Sequence, residues 1–174
     1  MTWMADILTA QVLRYARVGV IIVGVQLASM NSAKAAKVRH IFDNAPFIRE
    51  MGLELTSIKD SWCETHLVPD RRHQQQHGLI HAGVMATMGD HTAGCAARGK
   101  VGMDQDVLTV EFKINFLRPA LADRLRCRSQ VLRAGKTLVI CESEVYAEKK
   151  SEEKLVAKAT VTLAVTGEVV SRES

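Results

Sequence analysis

The chain has 174 residues, of which 47% are hydrophobic and 24% are charged, a balance typical of one globular domain with a single buried core. An excess of 23 basic over 19 acidic residues gives a net charge of +4, which suits an anionic ligand. With only four Phe, two Tyr and two Trp, the sequence lacks the basic–aromatic pattern of a nucleic-acid surface, so we expect no nucleic-acid partner.

The region before residue 30 is the hardest to interpret. Val18–Met30 (VGVIIVGVQLASM) is uncharged and follows two arginines, but it is too short to span a bilayer, which takes about 20 apolar residues. Three interpretations stay open: an upstream extension ahead of a working start at Met30, a signal-like segment, or an interfacial helix. We expect residues 1–29 to be an N-terminal extension, residues 30–174 to be the folded domain, and no stable membrane insertion.

The domain begins with a pattern of two short helices and two strands, followed by a polar loop. Ser32 is predicted to cap the first helix, Pro46 suits the first turn of the second, and Gly52 is placed to end it. The segments are Ala33–Asp43 and Phe47–Met51 for the helices, Leu53–Lys59 and Trp62–Val68 for the strands, and Pro69–Gly78 for the loop.

An apolar helix follows from about Ile80 to Ala97, with one acid, Asp90, near its middle. Burying a carboxylate without a hydrogen-bond or ion-pair partner costs free energy, so the presence of Asp90 on this apolar helix requires an explanation. Two interpretations stay open: a binding site, or a packing face on which Asp90 pairs with His91 or reaches solvent. The residues that share its side of the helix are all small, which leaves room for a backbone or a thin ligand: Gly83, Ala86, Thr87, Ala93, Gly94 and Ala97.

The second half of the chain is predicted to be all strand, because apolar and polar residues alternate with a period of two. Six strands can bury one small-residue, apolar helix only by curling around it. The sequence therefore predicts an α+β hotdog fold, an antiparallel sheet of about six strands wrapped around one long central helix. The last four strands are expected to form an antiparallel meander, at Leu108–Phe116, Leu125–Leu132, Thr137–Glu148 and Leu155–Thr166.

The four cysteines are scattered and include no C-x-x-C pair. This arrangement predicts buried, reduced thiols in a cytoplasmic protein rather than a disulfide framework or a zinc knuckle. The four are Cys63, Cys95, Cys127 and Cys141.

Three histidines, His73, His77 and His81, recur at every fourth residue, which would place three imidazoles on one face of a helix. Gly78 and a run of glutamines interrupt any such helix, and no carboxylate nearby completes a zinc motif. We therefore expect no metal and no cofactor.

His81 and Asp90 are the obvious chemical pair, but nine residues of helix turn through about 900°, which leaves them half a turn out of phase. One copy of the helix cannot direct both side chains at the same ligand. If both act, the site lies between two chains, each of which contributes one of the two residues. We therefore expect a homodimer with an isologous interface.

The start of this helix is a second candidate functional feature. Its first residues, Ala82, Gly83 and Val84, would present backbone N–H groups that lack helical partners. Such donors can hold the oxygen of a carbonyl as it gains negative charge. Asp90 would then act as a general base on water or attack the carbonyl directly. Thr109, on the polar face of the next strand, would orient that water.

A stripe of three arginines, Arg124, Arg126 and Arg128, alternates along one strand. Such a stripe is typical of a solvated or edge-protecting face. Together with Arg133 and Lys136, it would also suit a phosphate group, which arginine binds through paired N–H donors.

One combination of residues resembles a known family. It consists of the run Gly78-x-x-His81-x-Gly83, of Asp90 nine residues beyond the histidine, and of the strand VLTVEFKINFLRPA at Val107–Ala120. These features resemble the hotdog-fold acyl-CoA thioesterases of the phenylacetate-degradation type. Motif, spacing and strand together are specific for that family and much less specific for the substrate.

The resemblance extends over residues 45–165 and implies roles for single residues. Asp90 would serve as base or nucleophile towards a thioester, and Thr109 would help to place the water. The N–H of Ala82 from the partner chain would hold the thioester carbonyl, assisted by the side-chain amide of Gln75. The family more often has Gly in the place of Ala82 and Asn in the place of Gln75.

The resemblance further implies hydrolysis of acyl-CoA to a carboxylic acid and free CoA, without a cofactor, by a homodimer or a dimer of dimers in the cytoplasm. The acyl chain is expected to run along the small residues towards Met85 and Met88, and the phosphates of CoA to meet Arg133 and Lys136. Two alternatives stay open: a non-catalytic protein that binds or senses acyl-CoA, and an enoyl-CoA hydratase on the same fold.

Overall fold

The computed structural model describes residues 30–167. The predicted N-terminal extension, residues 1–29, lies outside the described residues, as do residues 168–174. None of the helices in the described part combines the length and the apolar character needed to cross a membrane.

Helices and strands follow one another in the predicted order. Within the predicted polar loop, Arg71–His73 form one 3₁₀ turn. Over residues 30–167 the elements are α1 (Ser32–Asp43), α2 (Pro46–Met51), β1 (Glu54–Lys59), β2 (Trp62–Leu67), α3 (Ala82–Arg98), β3 (Gln105–Phe116), β4 (Arg124–Ala134), β5 (Leu138–Lys149) and β6 (Glu152–Gly167).

The ends of the first two helices follow their capping residues. Asn31 caps α1, because its side-chain oxygen accepts a hydrogen bond of 2.9 Å from the N–H of Ala33. The prediction that Ser32 would be the cap is wrong by one residue, since Ser32 already lies in the helix. Gly52 ends α2 with a φ of +74°, which confirms its predicted role, because this left-handed conformation favours glycine.

The six strands form one antiparallel sheet in the order β1-β2-β4-β5-β6-β3. The predicted four-strand meander is therefore wrong for β3, which pairs with β6 along its whole length and not with β4. Alternation of apolar and polar residues shows which side of a strand faces the core, but it carries no information about which strand lies beside it. As a consequence, β3 becomes an edge of the sheet.

The sheet curls around α3, which contacts all six strands, so the predicted hotdog fold is confirmed. Small residues let the helix lie close to the strands. A Cβ added at Gly89 would lie 3.7 Å from the Cβ of Ala159, and one added at Gly94 would lie 3.9 Å from Cδ2 of Leu163. The hydroxyl of Ser143 donates a 2.7 Å hydrogen bond to the carbonyl of Gly89, which ties the middle of the helix to β5.

The predicted state of the cysteines is also confirmed, since all four are buried free thiols. Burial raises the pKa of Cys127 and of Cys141 to about 12. Both thiols therefore stay protonated at neutral pH, and a protonated thiol is a poor nucleophile.

Candidate active site

The acid singled out in the sequence contacts Thr109, the residue that the sequence predicts to orient a water molecule. The hydroxyl of Thr109 on β3 donates a hydrogen bond of 2.7 Å to Oδ1 of Asp90 on α3. Because a threonine hydroxyl has one proton, Thr109 can only accept a hydrogen bond from a third group such as water. This bond fixes the orientation of the carboxylate, while the described residues show no partner for Oδ2. The interpretation in which Asp90 pairs with His91 is not what the structure shows.

Two local features hold Thr109 against the helix. Arg98, in the last turn of α3, donates a 2.6 Å hydrogen bond from Nε to Asp106 at the start of β3, and both side chains are largely buried. Three residues further along, the pairing of β3 with β6 contains a bulge between Thr109 and Glu111. Bulges redirect side chains next to functional sites, and this one lies at the residue that contacts Asp90.

Asp90 lines a cleft of about 380 Å³ between α2, α3 and β3. Met85 and Met88 do not line it, since they lie in the core with 4% and 0% of their surface exposed. The expected path of an acyl chain towards these two residues is therefore closed, and the open path leads towards α2. The lining residues are Ala45, Pro46, Phe47, Ile48, Ala86, Thr87, Asp90, His91 and Phe112.

His91 also lines this cleft. The sequence indicates it only as a possible partner of Asp90. Its ring packs on Phe42 with centroids 5.1 Å apart, and its buried Nε2 atom has no hydrogen-bond partner among the described residues. Burial, together with the charge of Arg98, lowers the pKa of His91 to about 4, so the ring is neutral at pH 7. An unpaired buried polar atom costs about 1–3 kcal/mol, which makes this nitrogen a feature that needs a function.

The first residues of α3 differ from the expectation. His81 is the residue before the helix, and its Nδ1 accepts a 2.9 Å hydrogen bond from the N–H of Gly83. The carbonyl of His81 accepts a 3.0 Å hydrogen bond from the N–H of Val84. Two of the three expected free donors are therefore already used within the chain. The N–H of Ala82 has no partner among the described residues and is the one that can bind a ligand.

Gln75 lies in a tight loop beside this helix end. An isolated β-bridge between Gln74 and Ile80 brings the loop back to the start of α3, and Gly78 adopts a φ of +77° to allow the turn. The side-chain oxygen of Gln75 accepts a hydrogen bond from the N–H of His77. Its NH₂ group is thus the part of the side chain left to donate to a ligand.

A second cleft, of about 430 Å³, surrounds the helix start. It shares Phe47 and Thr87 with the cleft beside Asp90, so the two continue into each other along α3. The lining residues are Phe47, Glu50, Met51, Arg72, His73, Gln74, His81, Gly83, Val84 and Thr87.

Ala82 and Asp90 are separated by eight residues of one helix, which corresponds to about 12 Å along its axis. Groups that act on the same carbonyl must each approach it to about 3 Å. One chain therefore carries Asp90 with Thr109 at one place on α3, and the N–H of Ala82 at another, too far apart to contact one carbonyl.

The arginine stripe of β4 is neutralised by its neighbours. Arg126 bonds to Glu64 and Glu148, Arg124 bonds to Glu148, and Arg128 bonds to Glu64. Although burial favours the protonated acid, the hydrogen bonds from Arg128 and Arg126 lower the pKa of Glu64 below its ordinary value. Arg124 and Arg128 are exposed and Arg126 is largely buried, so the stripe is an ion-paired face on an inner strand of the sheet.

Arg133 and Lys136 lie apart from this stripe, at the turn between β4 and β5. Both are exposed, and neither has a hydrogen-bond or ion-pair partner within residues 30–167. The start of α3 lies near the beginning of β4, since the N–H of Ile80 bonds to the carbonyl of Ala120. The turn between β4 and β5 is at the other end of β4.

The three evenly spaced histidines are not gathered on a helix. His73 is 2% exposed, its Nδ1 accepts a hydrogen bond from the N–H of Asp70, and its Nε2 lies 2.8 Å from the carbonyl of Met51. Both nitrogens are therefore occupied in holding the loop to α2. Among residues 30–167 the structure shows no group of three His, Cys, Asp or Glu side chains placed to hold a metal ion.

Comparisons with known proteins all find similarity to thioesterases. A sequence model of the thioesterase superfamily matches residues 77–154. The crystal structure of a thioesterase family protein from Silicibacter pomeroyi is similar with 36% identity and a TM-score of 0.76, over 78% of this chain and 99% of that one. The medium/long-chain acyl-CoA thioesterase YigI of Escherichia coli is 26% identical over 135 residues, 69% of this chain and 85% of that protein.

A Saccharolobus solfataricus protein provisionally named an esterase is 38% identical over 82 residues. The match covers 47% of this chain and 56% of that protein, so the chain spans about half the length of this relative.

Because His91 is buried and neutral, we expect the free energy of unfolding to depend on pH. Its pKa is about 4 in the folded protein against an ordinary 6.5, so between these values the unfolded chain takes up a proton that the folded protein does not. Stability should therefore fall as the pH drops from 6.5 to 4, by roughly 3 kcal/mol from this residue. His91→Phe should remove that part of the loss.

Urea unfolding of both proteins at pH 7, 5 and 4 measures the difference. His40→Phe, at an exposed position on α1, is the control and should keep the wild-type dependence. Parallel curves for the wild type and His91→Phe would contradict the neutral, buried state of His91.

Proposed function

The chain belongs to the thioesterase superfamily, and we propose that it hydrolyses acyl-CoA thioesters to a carboxylic acid and free CoA. The observation that carries this proposal is the 2.7 Å hydrogen bond that orients Asp90 at the mouth of an apolar cleft. The acyl-CoA thioesterase activity in the name of the Escherichia coli relative supports the substrate class. The free buried thiols support a reducing, cytoplasmic setting.

Asp90 acts on the thioester as general base or as nucleophile. As a base, its carboxylate takes a proton from a water that also donates to the Thr109 hydroxyl, and the water oxygen bonds to the carbonyl carbon. The carbon–sulfur bond then breaks, and the CoA thiolate leaves and takes up the proton. As a nucleophile, Asp90 forms a mixed anhydride that water hydrolyses to the same products.

Developing charge on the carbonyl oxygen is held by the N–H of Ala82 from a second copy of the chain, with the NH₂ group of Gln75 as a further donor. The N–H of Ala82 sits at the positive end of α3, where an anion is stabilised by the helix dipole. His81 supports this arrangement as a positioning residue, since its ring binds the N–H of Gly83 and so fixes the first turn.

The second copy is proposed to pair along β3. This strand is an edge of the sheet and exposes apolar side chains, including Leu108, Val110 and Phe112 with 51%, 59% and 42% of their surface accessible. An unpaired apolar edge strand is a ready template for another strand. Antiparallel pairing of two β3 strands gives an isologous dimer, in which the helix start of one copy approaches Asp90 of the other. A dimer of dimers is the further assembly that we propose.

The phosphates of CoA are proposed to bind Arg133 and Lys136. Ala134, Val139, Leu163 and Thr109 lie in one row across β4, β5, β6 and β3. Three strand spacings put the β4–β5 turn roughly 14 Å from Thr109, a span that the pantetheine arm of CoA can bridge. The unpaired cations at this turn suit its anionic groups.

The first test replaces the acid. Asp90→Asn keeps the shape of the side chain and removes the basic oxygen, so turnover should fall at least 100-fold. Free-thiol release from short, medium, long and aryl acyl-CoAs measures it. Thr109→Ala should cost less, and Asp104→Asn, in the exposed turn before β3, is the control and should leave turnover unchanged.

Each outcome of this test has a clear meaning. Unchanged turnover in Asp90→Asn would contradict the assignment of Asp90. If the wild type releases no thiol but is stabilised by acyl-CoA, the protein is a binder. If it adds water to an enoyl-CoA instead, it is a hydratase.

The second test removes one backbone N–H donor, that of residue 82, from the start of α3. Ala82→Pro deletes the backbone N–H at the first position of α3, where proline is well tolerated, and His81 already has the extended backbone that a following proline needs. The helix should persist while turnover falls about 100-fold, the usual effect of losing one oxyanion donor. Ala82→Gly is the matched control, because it keeps the N–H. Similar activity of the two variants, with intact circular dichroism, would contradict the role of this N–H.

The third test addresses the β3 edge. Val110→Lys puts a charge on this edge, which should oppose pairing and shift the protein from dimer to monomer with loss of turnover. Val68→Lys, at a position with 64% exposure beyond β2, is the control. Sedimentation and turnover over a range of concentrations measure both effects. A monomeric Val110→Lys with full activity would contradict the shared site.

A further inference from the structure

One polar side chain in the cleft has no part in the chemistry proposed above. His91 follows Asp90 directly on α3, and its buried Nε2 atom has no hydrogen-bond partner among the described residues. The ring of a phenylalanine would pack equally well against Phe42 and would bury no unpaired atom. Because residues 30–167 supply no partner for Nε2, a ligand in the cleft is the candidate.

The surroundings of His91 indicate where that partner comes from. The ring lines the cleft of about 380 Å³ that begins at Asp90, and the polar side chains on its wall are Asp90, Thr87 and His91. A group that enters this cleft from a thioester carbonyl beside Asp90 is the acyl chain. The rest of the wall is apolar and consists of Ala45, Pro46, Phe47, Ile48, Ala86 and Phe112.

The charge state of the ring limits the chemistry of the partner. The pKa of His91 lies near 4, because burial and the nearby Arg98 disfavour the protonated form. A neutral imidazole has one N–H donor and one acceptor nitrogen. It suits a hydroxyl group, which can both donate and accept, and it does not compensate the burial of a second carboxylate.

Building on the proposed thioesterase function, we propose that His91 determines acyl specificity by hydrogen-bonding a hydroxyl group on the acyl chain close to the thioester. Asp90 and His91 both line the same cleft of about 380 Å³, so an acyl chain that leaves a carbonyl at Asp90 passes His91 within its first few carbons. The hydroxyl is therefore placed close to the thioester, as in a 3-hydroxyacyl-CoA. In the free structure Nε2 is buried, and the bond between Cβ and the ring is a torsion with a broad energy well, so we propose that the ring rotates to meet the hydroxyl.

The test compares two substrates of equal length, octanoyl-CoA and 3-hydroxyoctanoyl-CoA in both configurations. We expect the wild type to prefer one 3-hydroxy configuration about 10-fold or more in kcat/KM, because sites that bond a substrate hydroxyl discriminate strongly against its absence. His91→Phe should lose this preference by a fall on the hydroxylated substrate alone. His91→Gln, which keeps a polar group near the position of Nε2, should restore part of it.

Thr87→Val is the matched control, since Thr87 is the other uncharged polar residue of the cleft. A preference that disappears in Thr87→Val and persists in His91→Phe would overturn the assignment to His91, as would equal kcat/KM values for both substrates in the wild type.

A binding measurement separates this inference from the proposed function. Non-hydrolysable thioether analogues of the two substrates are titrated calorimetrically into the wild type and into His91→Phe. If no thioester is hydrolysed, the proposed function fails. A hydroxyl preference in binding that vanishes in His91→Phe would still support the role of His91, and equal affinities would refute it.

Discussion

The close approach of α3 to the concave face of the sheet is the constraint on which the rest of the structure depends. Glycine and alanine on the buried side of the helix let the strands approach, and Ser143 and Cys141 bond to the carbonyls of Gly89 and Ala93. These contacts fix the rotation of the helix about its axis. Asp90 is thereby turned towards β3, and its neighbour His91 is turned towards the first two helices.

The proposed catalytic groups lie at two separate places along this helix. Its start carries the free N–H of Ala82, and its middle carries Asp90, about 12 Å away. Because β3 is an edge strand and holds Thr109 against Asp90, the acid lies beside the surface that a second copy would cover. The proposed dimer therefore follows from two independent features, the separation of Asp90 from the N–H of Ala82 and the unpaired apolar edge.

The sequence predicted much of this structure because the determining signals are local. Period-two alternation located the strands, and the uncharged helix between them required a sheet that curls around it. The order of the strands is a non-local property, so the place of β3 beside β6 was predicted wrongly. A role for Thr109 in orienting water was predicted from its residue type and the polar face of its strand, whereas its hydrogen bond to Asp90 was not predicted.

Other parts of the site depend on side-chain geometry that no periodicity encodes. The use of His81 to bond the N–H of Gly83 leaves one free donor where three were expected. Two walls of the cleft beside Asp90 come from α2 and β3, which are distant in sequence, so no sequence signal indicated Phe47 and Phe112. The one available signal for His91 was its polarity on an otherwise apolar helix.

Each active site is proposed to combine Asp90 of one chain with Ala82 of another, and mixed dimers test this combination. Asp90→Asn and Ala82→Pro are each expected to retain about 1% of wild-type turnover or less. A dimer of the two contains one site with both changes and one with neither. After unfolding and refolding together in equal amounts, the mixture should recover about one quarter of wild-type turnover, as random pairing of a two-fold dimer requires. Native mass spectrometry verifies that mixed dimers form. Mixed dimers without activity would show that the acid and the N–H must belong to the same chain, and would contradict the account.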